Sequence, residues 1–234
     1  MKTRRQHLRE TTYRDIRQTA RALLVSGGLQ AVTINAVARR MGMSGPAIYR
    51  YYPSHDDLIA GLTADLYREV TAAIDAARRP GAVNLLPMCR ALRHWALANR
   101  AGFGLIFATP PLPIGQEGTA REDRLAANAF GMAFFTEIEA LWDTRRFPVP
   151  EPDGLEPHLR KQLEAYATST GGRLPPEAIH VFLNCWIRLY GLLCMEALRQ
   201  IDFAISDAEP LFEDCLKELS DWLKIDYLPP AAKR

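Results

Sequence analysis

Residues 33–51 have the sequence TINAVARRMGMSGPAIYRY, and this stretch decides the fold of the N-terminal part of the chain. It predicts two short helices joined by a turn at Gly42, which has no Cβ and so adopts the left-handed conformation of a tight turn easily. Ala38 is small enough to let the two helices cross closely, and Ile48 returns a branched apolar side chain to their shared core. This spacing is typical of a helix-turn-helix.

The same spacing divides the remaining side chains of this stretch between two faces. Val37, Met41 and Met43 complete the inward set. The outward set is Arg39, Arg40, Gly45, Pro46, Tyr49 and Arg50. A compact helical hairpin inside an unrelated protein would show the same small, flexible and branched residues, so the flanking sequence has to distinguish the two interpretations.

Helical periodicity on both sides predicts an all-α protein. Apolar residues of segment 12–26 share one helical face, and Gly27 and Gly28 end that helix. Ser54 is a suitable N-cap for a fourth helix extending to about residue 79, with Asp56 in its first turn. Further helices are predicted at 84–100, 102–108, 119–144, 156–169, 175–201 and 207–224. We therefore expect an N-terminal three-helix domain and a larger C-terminal helical bundle.

Charge is distributed unevenly along the chain. Residues 1–55 hold ten Lys and Arg against two acidic residues, a net charge of +8, whereas the remainder holds 19 basic and 25 acidic residues, a net charge of −6. A basic module joined to an acidic one favours contact with a polyanion at one end. A segment that binds a membrane surface is the other interpretation of such a charge run. Together with the helix-turn-helix spacing, the charge favours DNA.

Other classes of site find little support in the sequence. The four cysteines, Cys89, Cys185, Cys194 and Cys215, lie far apart without metal-ligand or disulfide spacing, so we expect buried thiols, no metal and no cofactor. No phosphate-binding loop, metalloprotease motif or nucleophile elbow occurs, so an enzyme is not expected. A non-catalytic helical interaction module is the alternative. The absence of an apolar leader and of an 18-residue apolar run predicts a cytoplasmic protein with no membrane contact.

Residues 12–58 resemble the DNA-binding domain of the TetR family of bacterial regulators. The positions that carry the resemblance are Ile16, Ala20, Gly28, Thr33, Ile34, Val37, Ala38, Gly42, Ser44, Ile48, Tyr49, Tyr52 and Leu58. Further along, Trp186, Tyr190 and Gly191 are similar to a Trp, His-Gly signature of one subgroup, with tyrosine in place of histidine. The resemblance implies a ligand-released repressor that binds a palindromic operator as a homodimer.

The resemblance also implies how DNA would be contacted. The third helix would enter the major groove, with Gly45, Pro46 and Ala47 at the base edges and Arg50 at a guanine or a phosphate. The full expected set of DNA-binding residues is Thr33, Arg39, Ser44, Gly45, Pro46, Ala47, Tyr49, Arg50, Tyr51 and His55. Because the residues at the base edges are short, we expect DNA shape and thymine methyl groups to carry much of the discrimination.

The N-terminal basic residues Arg4, Arg5 and Arg9 have two interpretations. They form an arm that would reach a neighbouring minor groove, or a solvated tail, and composition favours the tail. The expected division of the chain is an arm at 1–11, the DNA-binding domain at 12–58, a connecting helix at 59–80, a ligand-binding and dimerisation domain at 81–228 and a tail at 229–234. Segments 109–118 and 145–154 are expected to be loops.

The larger domain is expected to bind a small hydrophobic effector between its helices. The candidate ligand-binding residues are Trp95, Phe103, Phe107, Phe130, Phe134, Trp142, Asn184, Trp186, Arg188 and Tyr190, although aromatic residues at helical spacing also serve simply as core. Apolar stripes on the last two helices predict a dimer interface formed by Leu189, Leu193, Leu211, Cys215, Leu219 and Trp222. The same stripes would otherwise close the core of a monomer. A dimer is favoured because two recognition helices about 34 Å apart are needed to bind a palindrome.

Overall fold

Ten α-helices make up the regular structure of residues 3–108 and 119–230, the ranges that this computed structural model describes. They are α1 (Arg4–Gly27), α2 (Ile34–Met41), α3 (Gly45–Tyr49), α4 (His55–Ala76), α5 (Leu85–Ala98), α6 (Arg100–Phe107), α7 (Thr119–Arg145), α8 (Pro157–Ser169), α9 (Pro176–Ala197) and α10 (Glu209–Leu223). Short 3-10 turns lie at Leu29–Ala31 and Pro152–Gly154. No strand occurs in the described ranges, so the prediction of an all-α fold is confirmed.

The first helix begins at Arg4, eight residues earlier than the sequence pattern predicts. Its start is fixed by a capping box, in which the Thr3 hydroxyl accepts a hydrogen bond from the Gln6 backbone N–H and the Gln6 side chain accepts one from the Thr3 N–H at 2.8 Å. Residues 4–11, expected to be an arm or tail, are therefore two further turns of α1. Apolar periodicity missed them because Arg4 and residues 6–10 are exposed and form no apolar face.

Other helix ends also differ from the prediction, including that of α4, which ends at Ala76 and not at about residue 79. Helix α5 ends at Ala98 because Asn99 leaves the helical region, with φ −127° and ψ 45°. The Asn99 carbonyl accepts a hydrogen bond from the Phe103 N–H at 2.8 Å, which starts α6 directly. Helix α9 ends at Ala197, before the predicted residue 201. The loop expected at 109–118 and the end of the expected tail, 231–234, lie outside the described residues.

The chain divides into two compact units, of which the first comprises Met1–Ala72 and Ala98–Phe130. In this unit α1 packs on α2 and α6, and α2 packs on α3. Because α6 and the start of α7 belong to it, the unit cuts across the division expected at residue 81. Its core includes Ile16, Ala20, Leu24, Val37, Ile48, Leu58, Leu62 and Leu66, all buried. Each large aliphatic side chain stabilises the unit by about 1.5–3 kcal/mol on burial.

Tyr52 connects α1 to α4 inside the first unit. A Cβ at Gly61 on α4 would lie 3.0 Å from the Tyr52 ring, so the absence of a side chain there makes room for it. The Tyr52 hydroxyl accepts a hydrogen bond from Arg17 at 3.1 Å, and Arg17 also donates to Asp65 on α4. Burial raises the pKa of Tyr52, which keeps its hydroxyl protonated at neutral pH. This arrangement fixes the chain just after α3.

The second unit comprises Ala73–Leu97 and Gly131–Arg234. Helices α8 and α10 both pack on α9. Its core includes Ile74, Met88, Leu92, Trp95, Phe135, Ile179, Leu189, Leu193, Phe212 and Leu216, all buried. Two largely buried ion pairs attach α5 to the last two helices, Arg93 with Glu196 on α9 at 2.6 Å and Arg90 with Glu213 on α10 at 2.7 Å.

Candidate nucleic-acid interface and ligand cavity

Helix α2 is defined by a cap at each end. At its start the Thr33 hydroxyl accepts a hydrogen bond from the Ala36 N–H at 3.1 Å. At its end Gly42 adopts φ 66° and ψ 25°, the left-handed conformation that ends many helices. The Met43 N–H then donates to the Ala38 carbonyl at 2.9 Å and the Gly42 N–H to the Arg39 carbonyl at 3.3 Å, the pair of bonds of a Schellman motif.

Helix α3 follows after a three-residue turn, 42–44, and has one buried anchor. Ile48 is fully buried beside the core residues Val37 and Ala38 of α2. Pro46 lies in the first turn, where its missing N–H costs nothing because that group has no partner within a helix. The predicted crossing of two short helices, with a small residue, a flexible turn and a branched anchor, therefore matches the structure of this segment.

None of the ten predicted DNA-binding residues is buried. Thr33, Arg39, Ser44, Pro46, Tyr49, Arg50 and His55 are exposed, and Gly45, Ala47 and Tyr51 are half-buried. Tyr49 keeps 50% of its surface exposed although tyrosine is a largely apolar residue. The structure thus places these side chains on the outside of the first unit, where they form a surface of hydroxyl groups, guanidinium groups and short side chains. We refer to this set as the recognition surface.

His55 has a specific internal partner. Its Nε2 atom lies 2.7 Å from the Val32 carbonyl oxygen, and its Nδ1 atom lies 3.6 Å from Asp56 Oδ1. As the first residue of α4, His55 therefore joins that helix to the segment before α2. The imidazole thereby positions the edge of the recognition surface.

A cavity of about 40 Å³ lies inside the second unit. Its lining comes from α5, α7, α9 and α10 and from Ile225, which follows α10; the residues are Leu85, Leu86, Cys89, Phe134, Ile138, Phe182, Cys185, Trp186, Leu189, Leu219, Leu223 and Ile225. Burial raises the pKa of Cys89 and raises that of Cys185 to about 12, so both thiols stay neutral at pH 7. The lining therefore carries no formal charge.

The predicted ligand-binding residues are only partly brought together. Phe134 and Trp186 line the cavity with ring centroids 5.5 Å apart, and Tyr190 stacks on Trp186 at 5.9 Å. Trp95 is buried in the core of the second unit outside this lining, and Trp142 packs edge-on against Phe147. Asn184 and Arg188 point outward: the first bonds the His180 carbonyl and the second pairs with Glu218 at 2.9 Å.

Phe103, Phe107 and Phe130 form a separate aromatic cluster in the first unit. Phe107 lies 4.9 Å from Phe103 and 5.3 Å from Phe130, and Tyr67 of α4 packs against the cluster. The Tyr67 hydroxyl donates to the Ile106 carbonyl at 3.0 Å. This contact satisfies the buried hydroxyl and attaches α4 to α6.

The sequence missed most of the cavity lining. Leu85, Leu86, Ile138 and Phe182 are aliphatic or aromatic residues on faces that also serve as ordinary core, so no local pattern separates them from their neighbours. The apolar faces of α5 and α7 are the signal that was available. That signal predicts burial, whereas membership of the cavity depends on how four helices meet.

The predicted dimer residues fall into two groups. Leu189, Leu193, Cys215 and Leu219 are buried within the chain itself, because they face the core between α9 and α10. Leu211 and Trp222 remain 38% and 42% exposed. On α9 the exposed apolar residues are Ile187, at 66%, which the sequence did not single out, and Met195, at 39%. We call Ile187, Met195, Leu211 and Trp222 the outer apolar face.

Helix α9 carries apolar residues on more than one side. Of the helices within the described ranges, it is the one whose length and composition would suffice to cross a membrane.

Side chains that bind metals do not cluster in the described ranges, where no group of three or more His, Cys, Asp or Glu side chains is arranged to hold a metal ion. The four cysteines are free thiols.

Comparison with known protein families gives two matches. Residues 16–62 match the family described as "Bacterial regulatory proteins, tetR family". Residues 85–219 match the family described as "Tetracyclin repressor-like, C-terminal domain". The second match alone covers more than half of the chain, and together the two take in the recognition surface and most of the cavity lining.

Individual relatives have similar descriptions. The chain is 30% identical over 142 residues to the HTH-type transcriptional regulators Rv1816 of Mycobacterium tuberculosis and Mb1846 of Mycobacterium bovis, covering 58% of this chain and 60% of each relative. Among solved structures it resembles the regulatory protein SCO4313, with 30% identity, a TM-score of 0.71 and coverage of 93% of this chain and 98% of that one. A tetR family transcription regulator from Shewanella sp. PV-4, 16% identical with a TM-score of 0.56 and coverage of 90% and 95%, shares the fold.

Proposed function

Because this chain belongs to the TetR family of bacterial regulators, we propose that it is a sequence-specific DNA-binding transcriptional regulator with no catalytic activity. The observation that carries the proposal is the exposure of the recognition surface, since seven of its ten residues are exposed and none is buried. The aligned part of the curated relatives spans 60% of their length. We place the protein in the cytoplasm, where its DNA would be.

Base recognition would come from α3. Gly45, Pro46 and Ala47 present little side chain, so the backbone of the helix approaches the base edges closely and contacts thymine methyl groups and groove shape. Arg50 has the reach for a guanine or a phosphate. The Thr33 hydroxyl already accepts a hydrogen bond from Ala36 and still has its own proton to donate to a phosphate oxygen.

A second copy of the chain would bind to the outer apolar face. The exposed fractions of Ile187 and Trp222 are high for such large apolar side chains, and contact with a second copy would bury both. Gly191 lies on the same side of α9, exposed, with no atom within 4 Å of where its Cβ would be. A glycine inside a helix costs about 0.5–1 kcal/mol relative to alanine, and close approach of a second backbone offsets that cost. The dimer would then offer two recognition surfaces to one palindrome.

The effector would bind in the cavity of the second unit. Its uncharged lining favours a neutral, largely apolar compound, since an ionised group would lose its hydration without gaining a partner. The cavity of about 40 Å³ is far smaller than the roughly 300–1,000 Å³ of most ligand sites. An effector therefore enters only if the lining helices move apart, which links binding to a change of conformation.

We infer that repression is relieved through a population shift. The effector would favour a conformation in which the two recognition surfaces no longer match one turn of DNA. Helix α4 is the element we assign to transmission, because its residues 55–72 belong to the first unit and its last turn to the second. By thermodynamic reciprocity, operator DNA weakens effector binding by the same factor.

The proposed function is tested by selection from a random duplex library with the full-length protein. We expect an enriched palindrome with half-sites about 34 Å apart, bound by two chains and at least 1,000-fold more tightly than a scrambled duplex. A protein that enriches no sequence, or binds all duplexes equally, contradicts the proposal.

Ligand release is tested separately with the selected palindrome and a panel of neutral aromatic compounds and medium-chain alcohols. We expect a compound that raises the melting temperature of the protein to lower its affinity for the palindrome. The cavity variant Ile138→Trp, which fills the space between α5, α7 and α9, should retain DNA binding and lose the response. A compound that binds both forms equally and leaves DNA affinity unchanged contradicts this part of the proposal.

A further inference from the structure

The first two turns of α1, residues 4–11, extend beyond the packed part of the first unit. Arg4 and residues 6–10 are exposed on all sides. At 1.5 Å per residue the extension is about 12 Å long. So short a helix is marginal without packing, yet the capping box at Thr3 stabilises it. The extension therefore offers a largely exposed helical surface.

Tyr13 holds this extension beside the recognition surface. Its ring lies edge-on to Tyr51, with centroids 5.1 Å apart, and edge-on to Tyr52, at 5.4 Å. Tyr51 lies two residues after the end of α3 and is itself a predicted DNA-binding residue. Tyr13 is therefore the residue at which α1 contacts the segment after α3. The extension, residues 4–11, lies just before Tyr13 in the same helix.

Arg9 is fixed at this junction. Its guanidinium group lies over the Tyr13 ring, 5.7 Å from the centroid, and donates a hydrogen bond to the Tyr13 hydroxyl at 3.4 Å. A cation over an aromatic face loses less conformational freedom on binding an anion than a solvated arginine does, because the ring already restricts its side chain. Arg9 thus presents a positioned positive charge on Tyr13, the residue that packs against Tyr51.

The arginines of α1 differ in whether a carboxylate already neutralises them. Arg17 is paired with Asp65 and Arg21 with Glu69, both on α4, so these two arginines are neutralised inside the first unit. Across the described ranges Arg4, Arg9 and Arg14 form no ion pair. Segment 4–11 carries three arginines and a single acidic residue. The surplus charge of the helix therefore lies in its N-terminal half.

We propose that Arg9, positioned by Tyr13, binds a phosphate of the DNA flanking the base pairs that α3 contacts, and that the first two turns of α1 lengthen the DNA footprint. DNA is the partner that fits, because duplex DNA carries about one negative charge per 1.7 Å and offers about seven charges along the 12 Å extension. Phosphate contacts position a protein without reading sequence. The inference rests on the proposed DNA-binding function and adds a contact outside the helix-turn-helix.

The test measures affinity for the selected palindrome and for a scrambled duplex of equal length between 50 and 200 mM salt. For Arg9→Gln we expect a loss of about 3- to 10-fold at 50 mM salt, equal on both duplexes, and a salt slope smaller by about 0.9 for each chain bound. The matched control Lys161→Gln removes one positive charge from exposed α8 and should leave both values unchanged. The melting temperature of each variant reports whether it folds.

A second variant tests the positioning role of Tyr13. Tyr13→Leu keeps an apolar side chain but removes the ring and hydroxyl that hold Arg9, so it should weaken binding to both duplexes. The double variant of Tyr13→Leu and Arg9→Gln should bind no more weakly than Arg9→Gln alone. This inference is overturned if the salt dependence of binding has the same slope for wild type and Arg9→Gln. If Arg50→Gln reduces that slope in the same experiment, the proposed function stays intact. A wild-type chain with no affinity for any duplex overturns both.

Discussion

Gly42 sets the direction of the chain between α2 and α3, because its left-handed φ of 66° turns the backbone within one residue. We expect Gly42→Ala to lower the free energy of unfolding by about 1–2 kcal/mol, since an L side chain is disfavoured in this region even though open space surrounds the position. Urea denaturation of the full chain measures the change.

Gly131 provides the matched control for this substitution. It lies inside α7, exposed and with no neighbour near its Cβ position, so Gly131→Ala should stabilise the protein by about 0.5–1 kcal/mol. If both substitutions shift stability in the same direction, the turn at Gly42 does not depend on glycine.

Glu213 links the stability of the second unit to pH. It accepts hydrogen bonds from Arg90 at 2.7 and 2.9 Å and from the Tyr227 hydroxyl at 2.8 Å. Burial on its own raises the pKa of Glu213, but the hydrogen bonds from Arg90 and Tyr227 outweigh it and hold the pKa below its ordinary value. The stabilisation is therefore complete above the unfolded-state pKa of about 4.3 and is lost as pH falls through the folded-state pKa.

We expect Glu213→Gln to cost about 1–3 kcal/mol of unfolding free energy at pH 7 and much less at a pH below the folded-state pKa, where the wild-type carboxylate has taken up its proton. Urea denaturation at the two pH values gives the difference. Glu164→Gln, which breaks an exposed pair with Arg160, should cost less than about 1 kcal/mol at pH 7. An equal penalty for Glu213→Gln at both pH values refutes the assignment.

At the scale of single residues, the sequence predicted the recognition surface better than the cavity. Ala38, Gly42 and Ile48 lie within eleven residues of one another, so local sterics determine their relation. The cavity residues Leu85 and Leu223 come from opposite ends of the second unit, and no local rule relates them. Arg9 was predicted as part of an arm or tail because its partner, the Tyr13 ring, lies in the helix that the apolar pattern began only at residue 12.

Helix α9 shows why the sequence predicts where a helix lies better than which of its sides is buried. Its existence and its start were predicted, because Pro175 and Pro176 begin it and apolar periodicity runs through it. Its buried side carries Leu189 and Leu193 and its exposed side carries Ile187 and Met195. When both sides of a helix are apolar, periodicity does not show which one faces the core.

The exposed side of α9 leads to a prediction at the scale of the element. Ile187→Glu should convert a dimer into monomers at micromolar concentration, because it places a charge in the centre of the outer apolar face. Size-exclusion chromatography with light scattering measures the mass. Leu125→Glu, an equivalent substitution at an exposed position of α7, should leave the mass unchanged. A monomeric wild-type chain, or a dimeric Ile187→Glu variant, would show that the outer apolar face is not a dimer interface.

On the scale of the whole molecule, the distribution of charge gains a structural explanation. The N-terminal excess of +8 suggested one basic surface, yet Arg17 and Arg21 are paired with α4 carboxylates and contribute stability instead. Among the residues that the structure describes, the N-terminal arginines without an ion pair are Arg4, Arg9 and Arg14 on α1 and Arg39, Arg40 and Arg50 in the helix-turn-helix. Net charge therefore predicted the kind of partner, while the ion pairs determine which arginines are available to it.

If the outward face of α3 meets duplex DNA, a charge of the wrong sign at Ala47 should abolish tight binding. Ala47→Glu adds a carboxylate at a half-buried position on that face, where it would oppose phosphates and base-edge acceptors, while Gln162→Glu adds the same charge on exposed α8. We predict that Ala47→Glu lowers affinity for the selected palindrome at least 100-fold at an unchanged melting temperature, and that Gln162→Glu lowers it less than 2-fold. Wild-type affinity in a folded Ala47→Glu variant would contradict the account.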